Sequence, residues 1–270
     1  MKITKMHGLG NDFILTEEVR EDYAAPARAL CRRRLSVGAD GLVVVAPSQV
    51  ADIRMRIFNA DGSEAEMCGN SIRCFARYVY EKGIVAKNSM EIETLAGIMK
   101  PELIIEDGRV TAVKVDMGKP DFTPEAIPVL SDTPMDFEVP VGGKRFAASS
   151  VLMGVPHTIV FTDAVADVEI EKVGPEIEKH YFFPKKTNVN FVEVVDDGTV
   201  KMRTWERGVG TTMACGTGAS AAGVITHKKG LTGSSVRVLL EAGELFIENA
   251  ADGRVFMTGP AAYVFEGETV

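Results

Sequence analysis

Two short runs place a thiol directly ahead of residues suited to open a helix: Cys68-Gly69-Asn70 and Cys215-Gly216-Thr217. A cysteine at a helix start meets the positive end of the macrodipole and backbone N–H groups that have no intrahelical partner, and both stabilise a thiolate. Such a thiolate is a usable general base near neutral pH. The same N–H groups, presented through Gly69-Asn70 and Gly216-Thr217, suit an anion such as a carboxylate. Base and anion site together are what removal of an α-proton from an amino acid requires, because the developing charge spreads onto the carboxylate and must be stabilised there. If two such thiols face each other, one takes a proton from one side of a carbon and the other returns one to the opposite side. The pair then shares one proton at rest and titrates as a unit.

A lone cysteine is usually a small buried hydrophobe. Cys68 and Cys215 are set apart by their matching places in an internal repeat. An aromatic residue, Phe58 or Trp205, stands ten positions before each, and Lys82-Gly83 or Lys229-Gly230 closes fifteen positions after each. Ala96-Gly97 aligns with Ala242-Gly243, and Asp107-Gly108-Arg109-Val110 with Asp252-Gly253-Arg254-Val255, so the separations run from 145 to 147. Met117-Gly118-Lys119-Pro120 and Met257-Thr258-Gly259-Pro260 extend the match loosely. Solenoid units repeat every ~20 to 50 residues, so this period reads as a duplicated domain. The repeats are placed at 1–117 and 118–257, with segment 258–270 expected to cross back to the first. Cys31 and Cys74 have no counterparts and read as core or surface thiols.

The elements that position the thiols follow from periodicity. Ile53–Phe58, Met90–Leu95 and Arg109–Val115 alternate or are β-branched, as half-buried strands are. Ile72, Phe75, Ala76, Val79 and Tyr80 fall at helical spacing before Gly83, and Ala219, Ala222, Gly223 and Ile225 do so before Gly230. The second helix, made of small residues, suits an element surrounded by strands. Each cysteine therefore precedes a helix in an α+β unit.

Composition narrows the function classes. With 270 residues, 46% of them hydrophobic, the chain can bury two self-sufficient cores. A formal charge of -8 argues against a surface that tracks phosphates, so no nucleic acid partner is expected. No run of about 18 apolar residues occurs and the first residues lack a signal-like segment, so the expectation is a cytoplasmic protein with no membrane partner. The four cysteines show no CxxC pair and His7, His157, His180 and His227 are scattered, which gives no zinc spacing. Gly8-Leu9-Gly10 lacks the third glycine of a dinucleotide loop, Phe13 standing there instead, and no Walker loop is present. A pyridoxal enzyme is not excluded through its single lysine, but the paired thiols offer a cofactor-free route to the same chemistry. No organic cofactor and no metal are expected.

The chain also resembles the diaminopimelate epimerases, cofactor-independent isomerases of lysine and peptidoglycan precursor synthesis, over nearly its whole length. The resemblance is carried by Met6-His7-Gly8-Leu9-Gly10-Asn11-Asp12-Phe13, Gly38-Ala39-Asp40-Gly41, Phe58-Asn59-Ala60-Asp61-Gly62-Ser63, Met153-Gly154-Val155-Pro156-His157, Asn188-Val189-Asn190-Phe191, Glu206-Arg207-Gly208 and the two cysteine runs. It implies two similar α+β domains, each a curved, barrel-like mixed sheet around a central helix, with the active site between them. It also implies conversion of LL- to meso-diaminopimelate with Cys68 and Cys215 as the two bases, and Gly69, Asn70, Gly216 and Thr217 holding the carboxylate at the reacting centre. The distal amino acid group then falls to Asn11, Asn59, Asn188, Glu206 and Arg207, and His157 and Glu206 tune the cysteine pair. Taken singly, His157 reads equally as a structural imidazole, and Glu206-Arg207 as a solvated charge pair. A homodimer is implied, with Phe265 where the family often has a tyrosine at the dimer contact.

Three departures bear on the substrate: Val155 stands where many members have Asn, Ser71 where they have Gly, and Gly41 where they have Gln. Val155 removes one polar contact from the expected distal site. The cysteines report chemistry rather than substrate, so a racemase for another amino acid is the first rival, and a non-catalytic amino acid binding protein is the rival of a different class. Facing thiols would also form a disulfide in the empty site under mild oxidation, with loss of activity until reduced.

Overall fold

Short strands separated by glycine-rich turns account for most of the chain. The structure, a computed structural model, describes residues 1–269, and it divides into one unit of Met1–Asp116 with the chain from Thr258 onward, and a second of Met117–Met257. The first unit contains β1 (Lys2–Gly8), β2 (Asn11–Thr16), α1 (Ala24–Leu30), β3 (Gly41–Ala46), β4 (Ile53–Asn59), β5 (Glu64–Ala65), α2 (Gly69–Glu81), β6 (Ile92–Thr94), β7 (Gly97–Met99), and the hairpin of β8 (Glu102–Glu106) and β9 (Arg109–Asp116). Its main sheet runs from the last strand of the chain, Ala262–Glu268, through β1, β2, β3, β4 and β6 to β7, with β5 beside β4. β2/β3 and β4/β6 are parallel and the other pairs antiparallel.

Helix α2 packs against β1, β2, β3, β4 and β9, so the sheet curves around it. On the other face, α1 closes a core of Ile3, Ile14, Tyr23, Ala27, Leu42, Val44 and Phe58. Covered on both sides, β3 reads Gly-Leu-Val-Val-Val-Ala with no polar alternation, as a strand without a solvent face does. Leu9 and Gly10, both at positive φ, form the two-residue hairpin loop between Gly8 and Asn11. That turn delivers Asn11 and Asp12 to the start of β2.

The second unit contains β10 (Phe137–Val141), β11 (Lys144–Met153), β12 (Val155–Phe161), α3 (Ile170–Glu178), β13 (Asn188–Asp196), β14 (Thr199–Glu206), β15 (Gly210–Thr212), α4 (Gly216–Lys228), β16 (Ser235–Leu240), β17 (Gly243–Asn249) and β18 (Val255–Gly259). Its sheet follows β10-β11-β12-β13-β14-β16-β17-β18 with β15 beside β14, and β12/β13 and β14/β16 are parallel. From β11 to β17 this is the order and sense of β1 to β7, with α3 in the place of α1 and α4 in the place of α2. The duplicated α+β architecture read from the sequence repeat is thus the one the chain adopts.

α4 packs against β11, β12, β13, β16 and β17, and every residue from Gly218 to Thr226 is buried. Its small side chains are a condition of that fit, since a Cβ on Gly223 would lie 2.7 Å from Ile247 Cγ2. The outer core joins Val139, Ile170, Ile177, Phe183, Val189 and Phe191. Val189 and Phe191 lie on that face of β13, and strand alternation turns Asn188 and Asn190 to the other. Among the described residues no helix is long and apolar enough to cross a membrane.

Candidate active site

Each thiol sits at a helix start. Cys68, half-buried, is the N-cap residue of α2 and Cys215, buried, that of α4, both in extended conformation. The helix-forming run begins directly after each cysteine, so the first N–H groups, which an α-helix leaves without intrahelical partners, belong to Gly69-Asn70 and Gly216-Thr217.

Around Cys68 the first unit assembles side-chain amides. The thiol donates to Asn11 Oδ1 at 3.7 Å, and Asn70 Nδ2 donates to the same oxygen at 3.0 Å. Asn11 Nδ2 in turn donates to Asp40 Oδ2 at 2.6 Å. Asp40 is held by Arg33 at 2.7 Å, and Arg33 also pairs with Asp12 at 2.6 Å. Lys5 completes the cluster with a 2.7 Å pair to Asp12. Burial pushes the Asp12 carboxyl up, but hydrogen bonds from Arg33 and Lys5 outweigh it and hold the group down at about 2. Gly8 lets β1 approach this corner, since a Cβ there would lie 2.9 Å from Arg73 Nη2 and 3.2 Å from the Asn70 carbonyl oxygen. Asn59 is exposed and donates from Nδ2 to Ser63 Oγ at 2.9 Å. Gly41 stands beside Phe13 and opposite Asn59.

Around Cys215 the second unit supplies donors. The sulfur accepts from the Gly218 N–H at 3.4 Å and lies 3.5 Å from the Thr217 hydroxyl. Position 218 has no room for a side chain, because a Cβ would come within 2.4 Å of Asn190 Oδ1 and 3.2 Å of Cys215 Sγ. Asn190, fully buried, accepts from the Thr204 hydroxyl at 3.1 Å and turns Nδ2 to His157 Nδ1 at 3.1 Å. Nδ1 is therefore the acceptor and the neutral ring carries its proton on Nε2, which is buried without a hydrogen-bond partner among the described residues. Burial, reinforced by the Arg207 charge, pushes His157 down to about 3, so the imidazole is neutral at physiological pH. Asn188 stands beside His157 in the parallel pair and spends both ends of its amide on backbone, donating to the Pro156 carbonyl and accepting from the Arg207 N–H, each at 2.9 Å. It fixes the turn that carries Glu206 and Arg207. Glu206 accepts from the Thr212 hydroxyl at 2.6 Å, and Arg207 donates to the Lys185 carbonyl at 3.1 Å. Val155 opens β12 with its side chain exposed.

The two remaining thiols are of a different kind. Cys31 follows α1 and Cys74 lies within α2; both are buried, and burial pushes them up to about 11 and about 12. They read as core thiols.

The structure thus gathers Asn11 and Asn70 around Cys68, and Thr217 beside Cys215, while His157, Asn188, Glu206 and Arg207 occupy one end of β12, β13 and β14. Sequence reasoning left out Asn190, Asp40, Asp12 and Arg33, which the hydrogen bonds link to these candidate residues. Asn190 had a signal in the Asn188-Val189-Asn190 run, since residues two apart on a strand share a face. Among the described residues no group of three or more His, Cys, Asp or Glu side chains is placed to hold a metal ion.

The diaminopimelate epimerase family matches residues 3–123 and 149–264. A diaminopimelate epimerase of Caldanaerobacter subterraneus is 53% identical over 99% of both chains, one of Moorella thermoacetica 50% identical over 99% of both, and one of Methanococcus maripaludis 49% identical over 99% of both. Among solved structures, a PhzF-family phenazine biosynthesis protein of Bacillus anthracis is similar with a TM-score of 0.72 at 17% identity, covering 100% of this chain and 99% of the other. A hydroxyproline epimerase of Agrobacterium vitis is similar with a TM-score of 0.70 at 16% identity, covering 99% of this chain and 91% of the other. At those identities the likeness speaks for the fold alone. The sequence matches go further: the chain belongs to the diaminopimelate epimerase family.

Proposed function

We propose that this protein is an isomerase that interconverts LL- and meso-diaminopimelate by two-base proton transfer at the α-carbon, with Cys68 and Cys215 as base and acid. The reading rests above all on one observation: each of two topologically equivalent units begins its central helix with a cysteine at the N-cap. One thiolate removes the α-proton and the other thiol delivers one to the opposite face, so the configuration inverts and the roles of the sulfurs exchange. Negative charge on Cys215 sulfur is met by the Gly218 N–H and the Thr217 hydroxyl. The substrate carboxylate at the reacting carbon suits the N–H groups of Gly69-Asn70 and Gly216-Thr217, which also stabilise charge developing on it. Asn11, Asn59, Glu206 and Arg207, with Asn188 fixing the turn that carries the last two, supply the polar set that a distal zwitterion needs. His157 and Glu206 shape the electrostatics of the cysteine pair, His157 as a neutral ring. We place the protein in the cytoplasm as a homodimer that needs no organic cofactor.

One observation favours a second reading. Val155 opens β12 where Asn11 opens β2, and it offers an exposed apolar side chain in place of an amide. That suits a racemase for an amino acid with a less polar distal end, since hydrogen-bonding capacity in a pocket governs discrimination between substrates.

Proton NMR of the reduced protein in deuterated water separates these. LL-diaminopimelate is supplied in one sample, and histidine, lysine, glutamate and proline in others. Loss of the α-proton signal and appearance of the epimer confined to diaminopimelate is the expected result. Exchange with another amino acid instead keeps the chemistry and overturns the substrate, and exchange with none overturns both.

A further inference from the structure

We propose that Asp40 is a positioning residue for Cys68: its carboxylate orients the Asn11 and Asn70 side-chain amides, so that an oxygen rather than an N–H group faces the sulfur. The inference rests on the reading of Cys68 as a reacting thiol and adds a residue that touches neither the thiol nor the helix start.

Hydrogen-bond polarity is passed along a chain of groups. An ionised carboxylate can only accept. Asp40 Oδ2 accepts from Asn11 Nδ2 at 2.6 Å and from the Asp12 N–H at 3.0 Å, while Arg33 clamps Asp40 Oδ1 at 2.7 Å. With Nδ2 engaged, Asn11 can present only Oδ1 on its other side, where it accepts from Asn70 Nδ2 at 3.0 Å and from the Cys68 thiol at 3.7 Å. Turning the Asn11 amide over would set two oxygens 2.6 Å apart at Asp40, which a charged acceptor forbids. The orientation of Asn70 follows, and it carries a visible cost. Asn70 Oδ1 is left buried without a hydrogen-bond partner among the described residues, in a residue 7% exposed. Turned over as a pair, the two amides would bury an unpartnered N–H group of Asn70 in the same place, and either orphan costs ~1 to 3 kcal/mol. The carboxylate at the end of the chain decides that it is the oxygen.

The second unit makes the contrast. By strand register Gly41 corresponds to Asn188, so Asp40 corresponds to Thr187, whose hydroxyl meets Thr158 and the Asn188 carbonyl. Cys215 has a backbone N–H on its sulfur, whereas Cys68 has an amide oxygen. The two thiols of a duplicated fold are therefore dressed with opposite hydrogen-bond polarity, and Asp40 is the group that sets the polarity on the Cys68 side.

The test is the rate of alkylation of each cysteine by iodoacetamide at neutral pH in the full-length reduced protein, read by peptide mass spectrometry with Cys215 as the internal reference. In Asp40→Asn the constraint is lifted, Asn11 can turn an N–H to the sulfur, and Cys68 should react roughly tenfold faster relative to Cys215, the scale of one exchanged hydrogen bond. Asp12→Asn breaks the Arg33 and Lys5 pairs but leaves the Asp40 acceptor, so it should lower Tm without changing the ratio. An unchanged ratio in Asp40→Asn, or a parallel rise at both cysteines, would overturn the proposal. Should Asp40→Asn fail to fold, the unmutated protein gives a second reading by NMR: a coupling across the hydrogen bond from Asn11 Nδ2 to the Asp40 carboxylate carbon is expected, and its absence with a coupling to Asn70 instead would overturn the idea. Neither measurement depends on turnover, so failure of the epimerase reading is seen separately in the α-proton exchange assay.

Discussion

Replacing His157 by asparagine removes the imidazole while keeping an acceptor for Asn190 Nδ2, and it isolates how a buried neutral histidine couples stability to pH. In the folded chain burial and Arg207 push His157 from 6.5 down to about 3. In the unfolded chain it titrates near 6.5. The unfolded state therefore binds a proton that the native state refuses, and stability falls as pH drops below 6.5 until the native ring also protonates near 3. At 1.36 kcal/mol per unit, the whole span is worth about 5 kcal/mol, and the part between pH 7 and 4.5 about 2 to 3 kcal/mol. Asp12 acts in a lower window. Its folded value is depressed to about 2, so its stabilisation is present above 3.8 and lost as pH falls through 2, below the range compared. His180 is pushed down by burial as well, but it is present in both proteins and cancels in the difference. Urea unfolding of the wild type and His157→Asn at pH 7 and 4.5 measures the effect. The variant should be less stable at pH 7 through lost packing, and the gap should close or reverse by about 2 to 3 kcal/mol at pH 4.5. A gap that is the same at both pH values would refute the reasoning, since it would mean that the native ring takes up its proton as readily as the unfolded one.

Cys68→Ser and Cys215→Ser should each lower epimerisation by roughly 10³-fold, because a hydroxyl is a far weaker acid-base group at neutral pH, while isothermal titration should still detect substrate binding. Gly218→Ala puts a better helix former into α4 yet should destabilise by about 2 kcal/mol in urea unfolding, since its Cβ would fall 2.4 Å from Asn190 Oδ1; a stabilised variant would contradict the packing described. Cys31 and Cys74, buried and pushed up to about 11 and about 12, should resist alkylation in the native protein and react only when denaturant is present.

The fold was legible where sequence and local physics agree. The Cys-Gly runs, the Lys-Gly closures and the small residues of α4 repeat at one spacing because each belongs to an equivalent element, and duplication preserves such positions. The ends of β6 were less legible: the alternation of Met90–Leu95 suggested a longer strand than Ile92–Thr94, because Glu91 and Leu95 lie beyond the three residues that pair with β7. The two-residue turn at Leu9-Gly10 was also hidden, since a buried leucine at positive φ is not a residue type that announces a turn.

What the repeat could not reveal are the candidate site positions that differ between the copies. Asn11 corresponds to Val155, Asp40 to Thr187 and Asn59 to Glu206 by strand register, and none of these pairs is alike in charge and hydrogen-bonding capacity. A search for self-similarity passes over such positions, yet Asn11 and Asp40 among them set what faces the Cys68 sulfur. An enzyme that removes a proton from one face and returns it to the other must accept two mirror-related reacting centres but a single distal group. Equivalent helix starts serve the first demand, because both faces need a thiol beside backbone donors. The second cannot be met by equivalent residues, since the distal end of the substrate has no mirror partner. Divergence of the strand ends around repeated N-cap thiols is therefore what two-base epimerisation would require of a duplicated fold, and Asp40, present in one copy only, falls on the diverged side of that division.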